Sequence, residues 1–235
     1  MTLPIYSIIF AVVYLAMLVS YFFSETSGNF KRRAWNKIIM ATTFWGYALF
    51  EMFHLGLWGS NIPYTILMIG ITFSYIGDVW LLWSFTKGGI AFGVGNAIIV
   101  AGIIELVKSM GVPFANYWFF ILVCAFFLCV FLILWKKGFY KDLKAPMIYM
   151  FTPYIGSVTA HGTLSLVLIF VLGLAGLMTP QLWFLFAGSI LFMISDYFIS
   201  WHNFRDKKSK LILRCNSGSY FFGLMLVVLS FTLGA

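Results

Sequence analysis

Apolar residues fill this chain in runs of about twenty, separated by short gaps that hold almost all of its charge. Such a run is the length of helix needed to cross a bilayer's hydrocarbon core. The pattern predicts spans near 4–23, 38–57, 63–84, 89–107, 116–135, 146–174, 180–201 and 217–234. The sixth is ambiguous, because apolar character continues past thirty residues and is interrupted by Pro153, Gly156 and the pair His161-Gly162. It fits one long tilted or kinked helix, or two short ones. The first run lacks a charged segment before it and a small-residue cleavage site after it, so it is expected to be a retained helix.

Composition agrees with the pattern. Of 235 residues, 62% are hydrophobic and 9% charged, against about 25% charged in a soluble domain. The expected fold is an all-α integral membrane protein, one domain over 1–235, built as a bundle of eight transmembrane helices. The net charge of +8 does not point to nucleic acid, because the basic residues lie between apolar runs rather than in one patch. It carries topology instead. With eight spans and both termini non-cytoplasmic, 14 of the 15 Lys and Arg residues fall on one side, and only Lys108 on the other. By the positive-inside rule that side is the cytoplasm, in an inner, plasma or endomembrane. A ninth span would put the last five basic residues on the wrong side.

Two stretches share a pattern: "GDVWLLW" at 77–83 and "SDYFISW" at 195–201. Each Asp precedes by five residues a Trp that marks a membrane boundary, so Asp78 and Asp196 are expected at one depth, about 7.5 Å inside that Trp. Four spans separate them, which suggests two parallel four-helix repeats, with coincidence as the competing explanation. An ionised carboxylate within lipid costs several kcal/mol and faces the bundle interior, so it is a functional hypothesis by default. The bland alternative is a boundary Asp bonded to a neighbouring helix. Lys37, Asn96, Tyr149, His202, Asn216 and Tyr220 are expected near the same level and together suggest a polar substrate-binding chamber open to the inner leaflet. Each has a plainer role as a snorkelling, loop or belt residue.

Glu51 with His54, and Glu105 with Lys108, have the spacing of local pairs on one helix face. "EMFH" matches half of a di-iron motif without a second copy. The three histidines fall on different elements and the three cysteines lack ligand spacing, so neither metal nor cofactor is expected. Two carboxyls in a low-dielectric pocket titrate apart, one keeping its proton while the other stays ionised. That pairing suits acid-catalysed chemistry through an oxocarbenium-like cation, and within a membrane the matching substrates are lipids with acetal- or enol-ether-type bonds. No G-x-S-x-G elbow points to ester hydrolysis.

At these residues the chain resembles the YhhN-like lysoplasmalogenase family, which is similar in length and span number. The resemblance rests on "NKIIMA" with Lys37, on Gly77-Asp78, on "GSILFMISDYFIS" and on Tyr220-Phe221 in the last span. It implies an enzyme, an intramembrane hydrolase that cleaves the vinyl-ether bond of a lysoplasmalogen or related ether lysolipid. The products are a fatty aldehyde and a glycerophospho-alcohol, and Asp78 and Asp196 inherit the catalytic role. Two departures stand out. Asn96 and Ile99 replace a His and a Tyr common in that family, and Leu224 replaces a Gln or His. Asn96 can hydrogen-bond but cannot carry a proton. The main rival reading is a proton-coupled transporter or a lipid-binding membrane protein that uses the same Asp pair. A zinc amidase is disfavoured by the scattered histidines, and a retinal protein by the absence of Lys in the last span.

Overall fold

The computed structural model describes residues 3–111, 145–204 and 209–234, together with Ala125, Cys129 and Ile133. The described residues form seven helices and no strand: α1 (Ile5–Glu25), α2 (Phe30–His54), α3 (Ile62–Leu81), α4 (Phe85–Ser109), α5 (Ala145–Leu174), α6 (Pro180–Phe204) and α7 (Lys210–Leu233). The span expected at 116–135 lies outside the described residues. Six of the seven, all but α2, are long and apolar enough to cross a membrane. With large apolar side chains exposed around the bundle, among them Ile9, Val12, Phe23 and Phe170, this is the build of an integral membrane protein. Lipid, not water, is the solvent such a surface suits.

Helix starts follow local chemistry. The side chains of Asn29, Asn61, Ser84 and Ser209 each accept from a backbone N–H in the first turn of the helix that follows, filling donors that have no partner within the helix. These caps correct two predicted boundaries. Helix α2 begins at Phe30 rather than 38, and α7 at Lys210 rather than 217, because hydropathy detects only the stretch immersed in lipid. The capped basic turns remain helical beyond it. The sixth run is one continuous helix of 30 residues with Pro153 inside it, so the choice between one helix and two is settled in favour of one. A membrane helix tolerates such a proline when neighbouring groups take over the freed backbone positions.

Helix α3 packs along α4, and α6 along α7, more extensively than any other pairs. Backbones meet at both crossings. A β-carbon at Gly188 would lie 2.5 Å from the Gly223 carbonyl oxygen, and one at Gly95 would lie 3.0 Å from that of Gly70. Small residues at such contacts allow the close approach on which helix association in lipid relies. The glycines and carboxylates share a register. Asp78 follows Gly70 by eight residues, and Asp196 follows Gly188 by eight. Each crossing therefore holds one Asp just over two turns away, on a stiff helix pair.

All the helix ends near Asp78 and Asp196 belong to one end of the bundle, where α1, α3 and α6 finish and α2, α4, α5 and α7 begin. A close-packed core of aromatic and branched residues, including Phe44, Leu67, Phe186 and Phe231, fills the bundle away from that end.

Replacing Gly188 by Ala forces α6 from α7 and should cost about 1–3 kcal/mol of stability. Gly46→Ala, where a β-carbon meets open space, should cost nothing. Thermal unfolding of both variants in detergent measures the difference.

Candidate active site

A charge that leaves water needs a partner, and Asp78 has two. The Lys37 ammonium lies 3.1 Å from its Oδ1, and the Tyr220 hydroxyl donates to its Oδ2 at 2.6 Å. Lys37 approaches off the hydrogen-bonding direction, leaving Oδ1 without an aligned donor. Asp78 is 1% exposed. Three helices therefore converge on one carboxylate: α2 supplies the cation, α3 the acid and α7 the phenol.

Asp196 is 6% exposed and forms no ion pair among the described residues. Its nearest polar partner is Tyr154 of α5, its Oδ2 lacks a hydrogen bond, and it lies close enough to Asp78 and Lys37 to feel both charges. Its neighbour Tyr197 turns the other way, to within 3.1 Å of the Thr159 hydroxyl. The two acids thus occupy one electrostatic environment with different company. One is ion-paired; the other is lined up with a phenol and has an oxygen to spare.

Both line a single cavity of about 280 Å³ at this end of the bundle. Lys37, His202, Asn216 and Tyr220 line it as well, so six of the eight residues expected at the site share one space. Lys37 is held by Asp78 rather than simply snorkelling, Tyr220 is buried rather than part of a belt, and His202 belongs to α6 rather than a loop. The side chain of Tyr149 lies outside the described residues. Both boundary tryptophans, Trp83 and Trp201, are exposed on the outer surface, as the five-residue offset from a buried Asp requires.

Asn96 is a correction. It does not line the cavity but sits in a second, fully enclosed polar layer. Its Nδ2 donates to the Phe92 carbonyl at 2.8 Å, and its Oδ1 lies 2.7 Å from His161 Nδ1, which donates to it. His161 Nε2 lies 2.8 Å from Ser189 Oγ. Asn96, His161 and Ser189 each stand seven residues from a cavity-lining position on the same helix: Gly89, Tyr154 and Asp196. Two turns rise about 10.5 Å, which sets the layer's depth. The rings of Phe92, Phe192 and Tyr220, with centroids 5.2–6.1 Å apart, separate the two levels. Asn96 is thus bonded to an imidazole carried on another helix, that of His161. Leu224 is packed in the core.

The expected Glu51–His54 pair does not form. Glu51 is buried with both oxygens unbonded, while His54 is exposed and stacks on Phe50. A helical i,i+3 spacing brings the positions together, but Glu51 faces the bundle and His54 the outside. Glu105 and Lys108, both exposed, do pair at 2.6 Å.

Five polar lining residues escape a hydropathy reading: Tyr21, Glu25, Arg33, Tyr154 and Ser217. The available signal for Glu25 is that it is an acid directly following the first apolar run. Its Oε1 accepts from Ser217 Oγ at 2.5 Å.

The sequence model of the YhhN family matches residues 32–231. No curated protein and no solved structure matches the chain.

Removing one member of the Lys37–Asp78 pair strands a buried charge. Lys37→Met alone should cost about 3 kcal/mol, and adding Asp78→Asn should recover most of it. A double-mutant cycle by thermal unfolding checks this, since independent losses would simply add.

Proposed function

The chain belongs to the YhhN family, and from that premise we propose that it is an intramembrane hydrolase of vinyl-ether lysolipids working by acid–base catalysis at Asp196 and Asp78. The observation that carries this reading is that both carboxylates face one cavity and, among the described residues, only Asp78 has a cation. Asp78, ion-paired to Lys37 and bonded by Tyr220, is the ionised partner. Asp196, with no ion pair among the described residues, is the group that holds a proton.

The reaction then follows from the positions. Asp196 gives its proton to the vinyl carbon remote from the ether oxygen, leaving an oxocarbenium ion beside the new carboxylate. Water adds to the cationic carbon, and a proton returns to Asp196. The Oδ1 atom of Asp78, lacking an aligned donor, orients that water. The hemiacetal collapses to a fatty aldehyde and the glycerophospho-alcohol. One water is consumed and no cofactor takes part. A cavity of about 280 Å³ lies at the small end of ligand pockets, roughly 300–1,000 Å³. It suits a head group and ether linkage, with the chain reaching into lipid.

The same proposal includes eight crossings with the cavity facing the cytoplasmic leaflet and both termini on the other side. The basic gaps support it. So does the direction of the described helices: α4 ends remote from the cavity and α5 begins beside it, which agrees with the further span that the sequence suggests at 116–135.

The test is aldehyde release from a vinyl-ether lysolipid by purified protein in detergent. Asp196→Asn and Asp78→Asn should each lower kcat by about 10²–10⁴-fold, and a chelator should change nothing. No aldehyde, with proton-dependent lipid uptake into liposomes, would instead establish the carrier reading.

A further inference from the structure

Among the residues that line the cavity, one acid has no part in the chemistry above. Glu25, the last residue of α1, is 8% exposed. Its Oε1 is taken by Ser217, but its Oε2 is buried without a hydrogen-bond partner. Cations stand nearby: the charges of Lys37 and Arg33 are both felt at Glu25, yet neither forms an ion pair with it. Lys37 is committed to Asp78. Arg33 is exposed, rests over the Phe30 ring at 5.6 Å, and also lines the cavity. Beside the carboxylate lie Tyr21, whose ring meets Phe221 edge-on at 5.4 Å, and the lining residue Asn216.

A buried acceptor left open costs the desolvation of that atom, about 1–3 kcal/mol and more when charged. The cost is recovered when a donor arrives. An anion-binding guanidinium and an unsatisfied carboxylate oxygen in the lining of one cavity are complementary to a zwitterion. We propose that Glu25 and Arg33 form a head-group subsite in which Arg33 takes the phosphate and Glu25 Oε2 takes a primary ammonium. The choice of a primary amine follows from hydrogen-bond inventory. A –NH₃⁺ group has three donors and can bond Oε2, whereas a quaternary ammonium has none and would leave Oε2 open. The site therefore selects ethanolamine-type over choline-type head groups. A head group with no cation, such as phosphoglycerol, places hydroxyls against a carboxylate and forgoes the ion pair. The subsite rests on the cavity being a lysolipid site, but not on hydrolysis taking place there.

Binding, not turnover, tests it. Three saturated 1-alkyl ether lysolipids, which carry no vinyl bond, differ only in phosphoethanolamine, phosphocholine or phosphoglycerol. Each is titrated against the full-length protein in detergent by tryptophan fluorescence. The native protein should bind the ethanolamine lipid at least tenfold more tightly than either of the others. Glu25→Gln, nearly isosteric, should lose that preference, and Arg33→Met should weaken all three alike. Equal affinities in the native protein, or a preference that survives Glu25→Gln, overturn the proposal without needing any variant to be active. Selective binding with no aldehyde from vinyl-ether lipid would defeat the hydrolase reading and leave the subsite standing. Aldehyde release from all head groups at equal affinity would do the reverse.

Discussion

The rest of this structure depends on how a bundle in lipid accommodates a charge it cannot expose. Asp78 is inside, and its carboxylate is tolerable only because α2 delivers Lys37 and α7 delivers Tyr220 to it. Those two contacts tie the first third of α2 and the middle of α7 to the end of α3. Because Lys37 is committed to Asp78, the neighbouring Asp196, like Glu25 across the cavity, has no ion pair among the described residues. Stability and chemistry are joined in the same three side chains. A buried ion pair rarely adds stability over an apolar substitute, so its presence here speaks for function.

The two glycine crossings make the arrangement stiff. With backbones in contact, α3 cannot slide along α4, nor α6 along α7, without breaking these close glycine contacts. Asp78 and Asp196 ride on these pairs at the same distance from their crossings. A helix pair locked two turns away fixes the position of each carboxylate, as the proposed chemistry requires. The second polar layer has a related effect. Asn96, His161 and Ser189 bond α4, α5 and α6 to one another beneath the cavity floor, where an apolar seam would leave α5 free to rotate.

Much of this was legible in the residues. Spans follow from the length of apolar runs, and the acids declare themselves because an Asp in such a run is costly. The shared cavity was readable from the equal Asp-to-Trp offsets, since helices running the same way bring equal offsets to equal depth. Depth, however, is only one coordinate. Asn96 was assigned to the acids' level, but rotation about α4 and two further turns of depth put it behind Phe92, next to a His that no spacing rule links to it. Glu51 shows the same limit: its spacing to His54 was right and its facing was wrong. Glu25 and Arg33 were missed because charged residues beside an apolar run resemble ordinary boundary residues until a neighbouring helix closes over them. Caps at Asn29 and Ser209 lie outside what hydropathy can register, so α2 and α7 came out longer than expected.

Helix α5 has one more implication. Thirty residues rise about 45 Å, well beyond a hydrocarbon core of roughly 30 Å, and none of them is Asp, Glu, Lys or Arg. Such a helix must lean or deform the bilayer around it, and its lean responds to local thickness. Tyr154, beside Asp196, and His161, in the floor, are both carried on it. A thinner or thicker membrane is therefore expected to tilt one wall of the cavity, which couples the geometry around Asp196 to the acyl-chain content of the membrane that surrounds it.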